Sequence, residues 1–106
     1  MCKPLKKIKV EADFSADPLW CADCFTNLDC EDFSLSEVLT KALFDWVGEY
    51  GTWIDWETDG VIAGGVEQEA AHNARGAELM EQVKKELPQY EVVFSPSIYA
   101  ERNREV

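Results

Sequence analysis

The sequence predicts a small α+β domain in which two helices pack on one face of a short, mainly antiparallel sheet, in the order β-β-α-α-β. Three observations carry that expectation. Apolar residues alternate at period two from Lys6 to Phe14, they recur at helical spacing over two central segments, and a short β-branched and aromatic run follows the second of these. A chain of 106 residues has room for one domain, spanning 1–106. At that size roughly 65% of the unfolded surface is buried on folding, enough for a core without staples. Four Trp, five Phe and three Tyr supply apolar area that offsets chain ordering, so the high charge does not imply disorder.

In the first run Ile8, Val10, Ala12 and Phe14 share one face, with Lys7, Lys9, Glu11 and Asp13 on the other, which is the pattern of a half-buried strand. Asp17-Pro18 should end it, because proline lacks an amide hydrogen and restricts the residue before it. Leu19 to Phe25 is then a second, shorter strand. Ser34 followed by Glu37 has the form of a capping box, Phe33 and Val38 are placed for a hydrophobic staple, and Leu35, Val38, Leu39, Ala42, Leu43, Trp46, Val47 and Tyr50 continue as a helical stripe weakened at its end by Gly48 and Gly51. Trp53 to Gly65 reads as a loop or short hairpin turning at Asp59-Gly60. A second helix runs from about Glu67 to Leu87, stopped by Pro88, with His72, Gly76, Leu79, Met80, Val83 and Leu87 on its apolar face. Gly76 on that face implies a close helix approach. Tyr90 to Phe94 is the last strand, expected to pair with the first, and residues 97–106 lack a core pattern and read as a solvated tail.

The net charge of −11 is localised: residues 1–10 carry +4, residues 11–69 carry −14 from fifteen carboxylates and one lysine, and residues 70–106 carry −1. Such a field attracts cations and repels phosphate backbones and anionic membranes, so nucleic acid and membrane are excluded as partners and a basic protein is favoured. No apolar stretch reaches transmembrane length. The basic N-terminus is followed by charged alternation and not by an apolar core, so no signal peptide is expected, and the four cysteines read as reduced thiols in a cytoplasm.

Candidate chemistry is sparse. Cys21-x-x-Cys24 with Cys30, and Cys2 or His72 as a fourth ligand, could suit tetrahedral zinc, but a second paired knuckle is missing; the plainer reading is small buried cysteines. Asp55-x-Glu57-x-Asp59-Gly60 imitates the start of a calcium loop. Its twelfth position is Val66, which cannot ligate, so a polar turn within the acidic surface is the alternative. His72, the one histidine, sits among apolar positions and reads as a packed residue before a catalytic one. No catalytic residue, metal site or cofactor is assigned. Trp53 and Trp56 lie between Asp55, Glu57 and Asp59, and aromatic anchors inside a charged surface are how interface hot spots are built. These five residues form the candidate partner-binding set; the alternative is that both rings fold back over the first helix.

Asp17-Pro18-Leu19-Trp20, then Leu35-Ser36-x-x-Leu39-x-x-x-Leu43-x-x-Trp46, Gly76-x-x-Leu79 and Val92-Val93-Phe94 together resemble a recurrent group of small uncharacterised bacterial proteins, over about residues 8–94. The resemblance implies the fold and a bacterial cytosol, and brings no activity or site residues. His72 stands where that group usually carries a large aromatic, and the early Cys-x-x-Cys also departs from it.

The functional reading this supports is a non-catalytic acidic binding protein, in the manner of an immunity or antitoxin-like inhibitor that covers a basic partner such as a nuclease. The rivals are a metal-binding module, with zinc through the cysteines or weak calcium through the acidic loop, and a homodimer formed through the aromatic residues.

Overall fold

A computed structural model describes residues 4–100. Cys2, one of the two fourth zinc ligands considered above, and residues 101–106 of the expected tail lie outside them. The elements are β1 (Lys7–Val10), β2 (Leu19–Cys21), β3 (Asn27–Leu28), α1 (Glu37–Gly48), β4 (Ile54–Asp55), β5 (Gly60–Val61), α2 (Gly65–Glu86) and β6 (Glu91–Phe94). This is the expected small α+β domain, with a four-stranded sheet in the order β3-β2-β1-β6 and a separate β4-β5 hairpin. β1 pairs antiparallel with β2 (Ile8 opposite Cys21) and β2 antiparallel with β3, while β1 pairs in parallel with β6 (Ile8 opposite Val92, Val10 opposite Phe94). The first and last strands therefore pair, as their patterns predict.

Period-two alternation fixes which face of the sheet is buried: Ile8 and Val10 of β1, Leu19 and Cys21 of β2 and Val92 of β6 point into one core. Leu39, Leu43 and Trp46 of α1 and Leu79 and Val83 of α2, with Leu87 just after it, close that core from the helical side. The helices meet where α2 has no side chain. A Cβ at Gly76 would sit 2.5 Å from Trp46 Cζ2 and 2.6 Å from Phe94 Cε1, so the glycine admits both rings. A smaller second cluster contains Trp53, Ile54 and Ala100.

Several local expectations are corrected. The first strand stops at Val10: the Ser95 amide bonded to the Val10 carbonyl and the Glu11 amide bonded to the Pro18 carbonyl are its last ladder bonds, on the β6 and β2 sides. The second strand ends at Cys21, and a tight turn returns the chain as β3, with Phe25 in the left-handed region at φ 62°. The α1 capping box at Ser34 is not used. Ser36 caps the helix, its Oγ accepting from the Leu39 amide at 3.2 Å, while its own N–H and O–H donate to the Glu86 carboxylate at 2.6 and 2.9 Å, tying the start of α1 to the end of α2. Val38, outside any staple, is 82% exposed. Within residues 97–100 the Ser97 backbone exchanges two 2.8 Å bonds with the Asn73 side chain and Ala100 is fully buried, while Ile98 is exposed. The cause is Glu69, a buried carboxylate that accepts from Ser97 Oγ at 2.6 Å and from the Ala100 amide at 2.9 Å.

Urea denaturation checks this packing. Leu43→Ala should destabilise the fold by about 2–5 kcal/mol. Lys41→Ala, which loses an exposed i,i+4 pair with Asp45, should cost no more than about 0.5 kcal/mol. Gly76→Ala gains about 1 kcal/mol of helix propensity yet overpacks two rings at about 1–3 kcal/mol, for an expected net loss of about 0–2 kcal/mol.

Candidate functional site

The β4-β5 hairpin pairs Ile54 with Val61 and Asp55 with Gly60, leaving Trp56 to Asp59 as its turn. The Asp55 carboxylate accepts from the Glu57 amide at 3.0 Å, and Asp59 occupies the left-handed region at φ 57°, which a short polar side chain tolerates. The segment that imitates a calcium loop is thus a polar turn. The two tryptophans flanking it separate. Trp53 is 1% exposed and packs in the second core against Tyr50 and His72, whereas Trp56 is 65% exposed at the turn. The Trp53 ring therefore offers a partner no surface, and of the two candidate anchors Trp56 alone is exposed.

A residue that alternation assigns to the core lies beside Trp56 instead. Because β1 ends at Val10, Phe14 leaves the sheet and lies half exposed, its ring centroid 4.7 Å from that of Tyr50 and 5.6 Å from that of Trp56 in an edge contact. Gly51 makes this possible twice over: its φ of +88° favours glycine, and a Cβ there would stand 2.7 Å from the Phe14 ring. Asp13, Glu57 and Asp59 are exposed around the pair, with Asp55 half-buried. Among the described residues no lysine or arginine forms an ion pair with any of these four carboxylates. The result is an aromatic patch set in uncompensated negative charge.

Behind Tyr50 the surface opens into a cleft of about 550 Å³ lined by Glu11, Asp13, Trp46, Tyr50, His72 and Ser97, among others. His72 is 5% exposed and stacks on Trp46 with centroids 4.7 Å apart and planes 12° from parallel. Trp46 Nε1 donates to the His72 carbonyl at 2.8 Å, which fixes both rings, but neither imidazole nitrogen has a hydrogen-bond partner. Burial pulls the His72 pKa down to about 4 against the opposing pull of Glu69, so the ring is neutral at physiological pH. The Tyr50 hydroxyl is shifted up, by burial first and then by the charges of Asp13, Glu11 and Glu69.

The thiols do not converge on this site. Cys21 and Cys30 are buried and Cys24 is exposed, and burial together with Asp17 and Asp29 pushes Cys30 up to about 12, far from a thiolate at neutral pH. Among the described residues no three His, Cys, Asp or Glu side chains come together in a way that could hold a metal ion. The same residues contain no helix long and apolar enough to cross a membrane.

Residues 6–97 match a family model described as Serratia CdiI immunity protein-like. The chain belongs to that family. The match takes in every strand and both helices, together with the hairpin, Phe14 and most of the cleft. No curated protein matches the chain. Families of immunity proteins are in general not catalytic.

His72 leads to a pH prediction. Unfolded, it takes up a proton near pH 6.5; folded, only near pH 4. A depressed histidine contributes stability that is fully present above the unfolded pKa and is lost as pH falls through the window from 6.5 to 4. The groups facing it are Glu69 on its own helix and Trp46, Tyr50 and Trp53 from α1 and the segment after it. Replacing it by Phe, which keeps a ring on Trp46, should make the stability lost between pH 7 and pH 4.5 smaller than in the wild type by about 2–3 kcal/mol. Urea denaturation of both proteins at the two pH values measures this.

Proposed function

We propose that this chain is an immunity protein that binds a toxin with a basic face, a nuclease being the concrete case, and blocks it without catalysing a reaction of its own, in the cytoplasm. The observation that carries the reading is the exposed Phe14–Trp56 pair ringed by unpaired carboxylates, on a chain of an immunity-protein-like family. A surface built to hold phosphates is basic, and clustered carboxylates complement it and speed encounter by long-range attraction. Exposed aromatic rings within that field supply the short-range anchor, since a few buried aromatics carry most of the energy of typical interfaces. The partner-binding set is accordingly Asp55, Trp56, Glu57 and Asp59, joined by Asp13 and Phe14, with Trp53 supporting them from beneath.

Capture from the native lysate at low salt, followed by mass spectrometry, identifies the partner for stopped-flow measurement. Association should slow as salt rises, because charges beyond a Debye length of roughly 8 Å at physiological ionic strength are screened. The combined Asp55→Asn, Glu57→Gln, Asp59→Asn variant should associate more slowly at low salt. Trp56→Ala should chiefly raise the dissociation rate, by about 30-fold if the ring is a hot spot of about 2 kcal/mol, while leaving stability within about 0.5 kcal/mol. An unchanged association rate in the amide variant, or capture of anionic partners only, would mean that the charge serves solubility and that the inhibitor reading is wrong.

A further inference from the structure

Phe44 and Gly48 stand one turn apart on the same side of α1, and across from them runs the segment Asp13 to Asp17, which leaves the sheet after β1. With Val47 between them, they line a groove of about 450 Å³ that continues the Phe14–Trp56 patch, because Phe14 belongs to both. Phe14 is 50% exposed and Phe44 42%. Contiguous apolar surface left open in this way, rimmed by polar groups, is the ordinary mark of a place where another protein docks.

Gly48 is unexplained by the fold. Glycine costs a helix more than any residue except proline, so a glycine inside one normally answers a need for a left-handed backbone or for a close neighbour. Neither holds here. The left-handed glycine past the end of α1 is Gly51, at φ +88°, and a Cβ there would meet the Phe14 ring at 2.7 Å, which places this side of the helix towards Phe14. Gly48 has no left-handed φ, and among the described residues nothing stands within 4 Å of where its Cβ would be. At Gly76, by contrast, Trp46 and Phe94 fill the corresponding space. The bare backbone at Gly48 therefore makes room for a molecule that closes on the groove.

Charge selects the occupant. Asp13 and Asp17 flank the groove, held by the Phe14 amide at 2.8 Å and the Cys30 amide at 3.0 Å. Among the described residues no lysine or arginine pairs with either carboxylate or lines the groove. A second copy of the chain would bring the same acidic face against these carboxylates, and phosphate backbones and anionic membranes are repelled for the same reason. An apolar side chain with lysine or arginine beside it suits both parts of the groove, since its apolar atoms cover Phe14 and Phe44 while its neighbours meet the two carboxylates. We propose that this groove receives an apolar side chain carried on a basic segment of the toxin, an assignment that rests on the immunity reading given above.

The test adds atoms at the groove without weakening the helix. Gly48→Ala and Gly48→Gln both favour the helical backbone, so each should keep or raise the urea midpoint of the free protein. Against the captured toxin, Gly48→Ala should raise Kd by about threefold and Gly48→Gln by about tenfold, as overpacking of a closed contact does, chiefly through faster dissociation. Asp13→Asn, whose exposed side chain can still accept from the Phe14 amide, should instead slow association at low salt. Val38→Gln, on the same helix but outside the groove, should leave both rates unchanged. A lowered urea midpoint in both Gly48 variants would show that the glycine serves the fold. Toxin binding within about twofold of the wild type in Gly48→Gln would show that the groove stays open in the complex. Either result overturns the inference and leaves the immunity reading standing. If no toxin binds the wild-type protein, the immunity reading falls and this assignment falls with it. Sedimentation equilibrium tests the other occupant: a wild-type dimer that Gly48→Gln dissociates would put a second copy in the groove and make the toxin assignment wrong.

Discussion

The close approach at Gly76 is the constraint on which the rest of the structure depends. With no side chain there, α2 comes near enough for the Trp46 and Phe94 rings to lie against its backbone. Trp46 is thereby placed to donate from its indole nitrogen to the His72 carbonyl, one turn earlier on α2, and to stack on the His72 ring. That stack forms part of the cleft and leaves the imidazole nitrogens free of protein partners. Phe94 ends the parallel ladder with β1, and the end of that ladder releases residues 11–18 to turn away from the sheet. One missing methyl group therefore links the core to both halves of the candidate site.

Charge on this scale is compatible with folding because the fold treats its acids in two ways. Most of the acidic block is solvated, where repulsion is weak and screened. Glu69 is the exception, buried to 3% exposure, and it is held by a hydroxyl and a backbone amide from residues 97–100. This is why the segment after β6 is ordered. A carboxylate on the core side of α2 needs donors, and the chain after Pro96 provides them. Composition cannot show this, since Ser97 to Ala100 has no apolar stripe; bonds to Glu69 and Asn73 hold it, with Tyr99 and Ala100 packed on the Trp53 cluster.

The parts of the fold that were legible in the sequence are those set by periodicity. Ile8 and Val10, the Leu39–Leu43–Trp46 stripe and the Gly76–Leu79–Val83 face repeat at the spacing of their elements, and each is buried as that spacing implies. Periodicity fails where an element stops for reasons lying elsewhere in the chain. Phe14 continues the β1 alternation but is half exposed, because its place in the ladder would need a β6 residue beyond Phe94. Ser34 and Ser36 are both followed by residues suited to a helix start, and what selects Ser36 is a contact with Glu86, fifty positions away. For the candidate site, the acidic hairpin and the aromatic anchor at Trp56 were visible as composition. Distinguishing Trp56 from Trp53 required knowing that the chain folds Trp53 under Tyr50, and the cleft joins residues from four separate stretches of sequence. The buried Glu69 left a usable signal, since it extends the His72–Gly76–Val83 face by one turn.

On the proposed immunity reading, the aromatic patch and the charge around it have different parts in recognition. A field of clustered carboxylates attracts any basic surface, so it governs how fast a partner arrives more than which partner stays. Discrimination requires groups that reward one shape and leave another with unpaired atoms. The exposed Phe14–Trp56 pair presents an apolar surface of limited area inside that field. The unsatisfied His72 beneath it is costly: a large aromatic would fill the same stack on Trp46 with no orphaned nitrogen. A chain that keeps the histidine there gives up stability as pH falls below 6.5, because the buried ring must be charged.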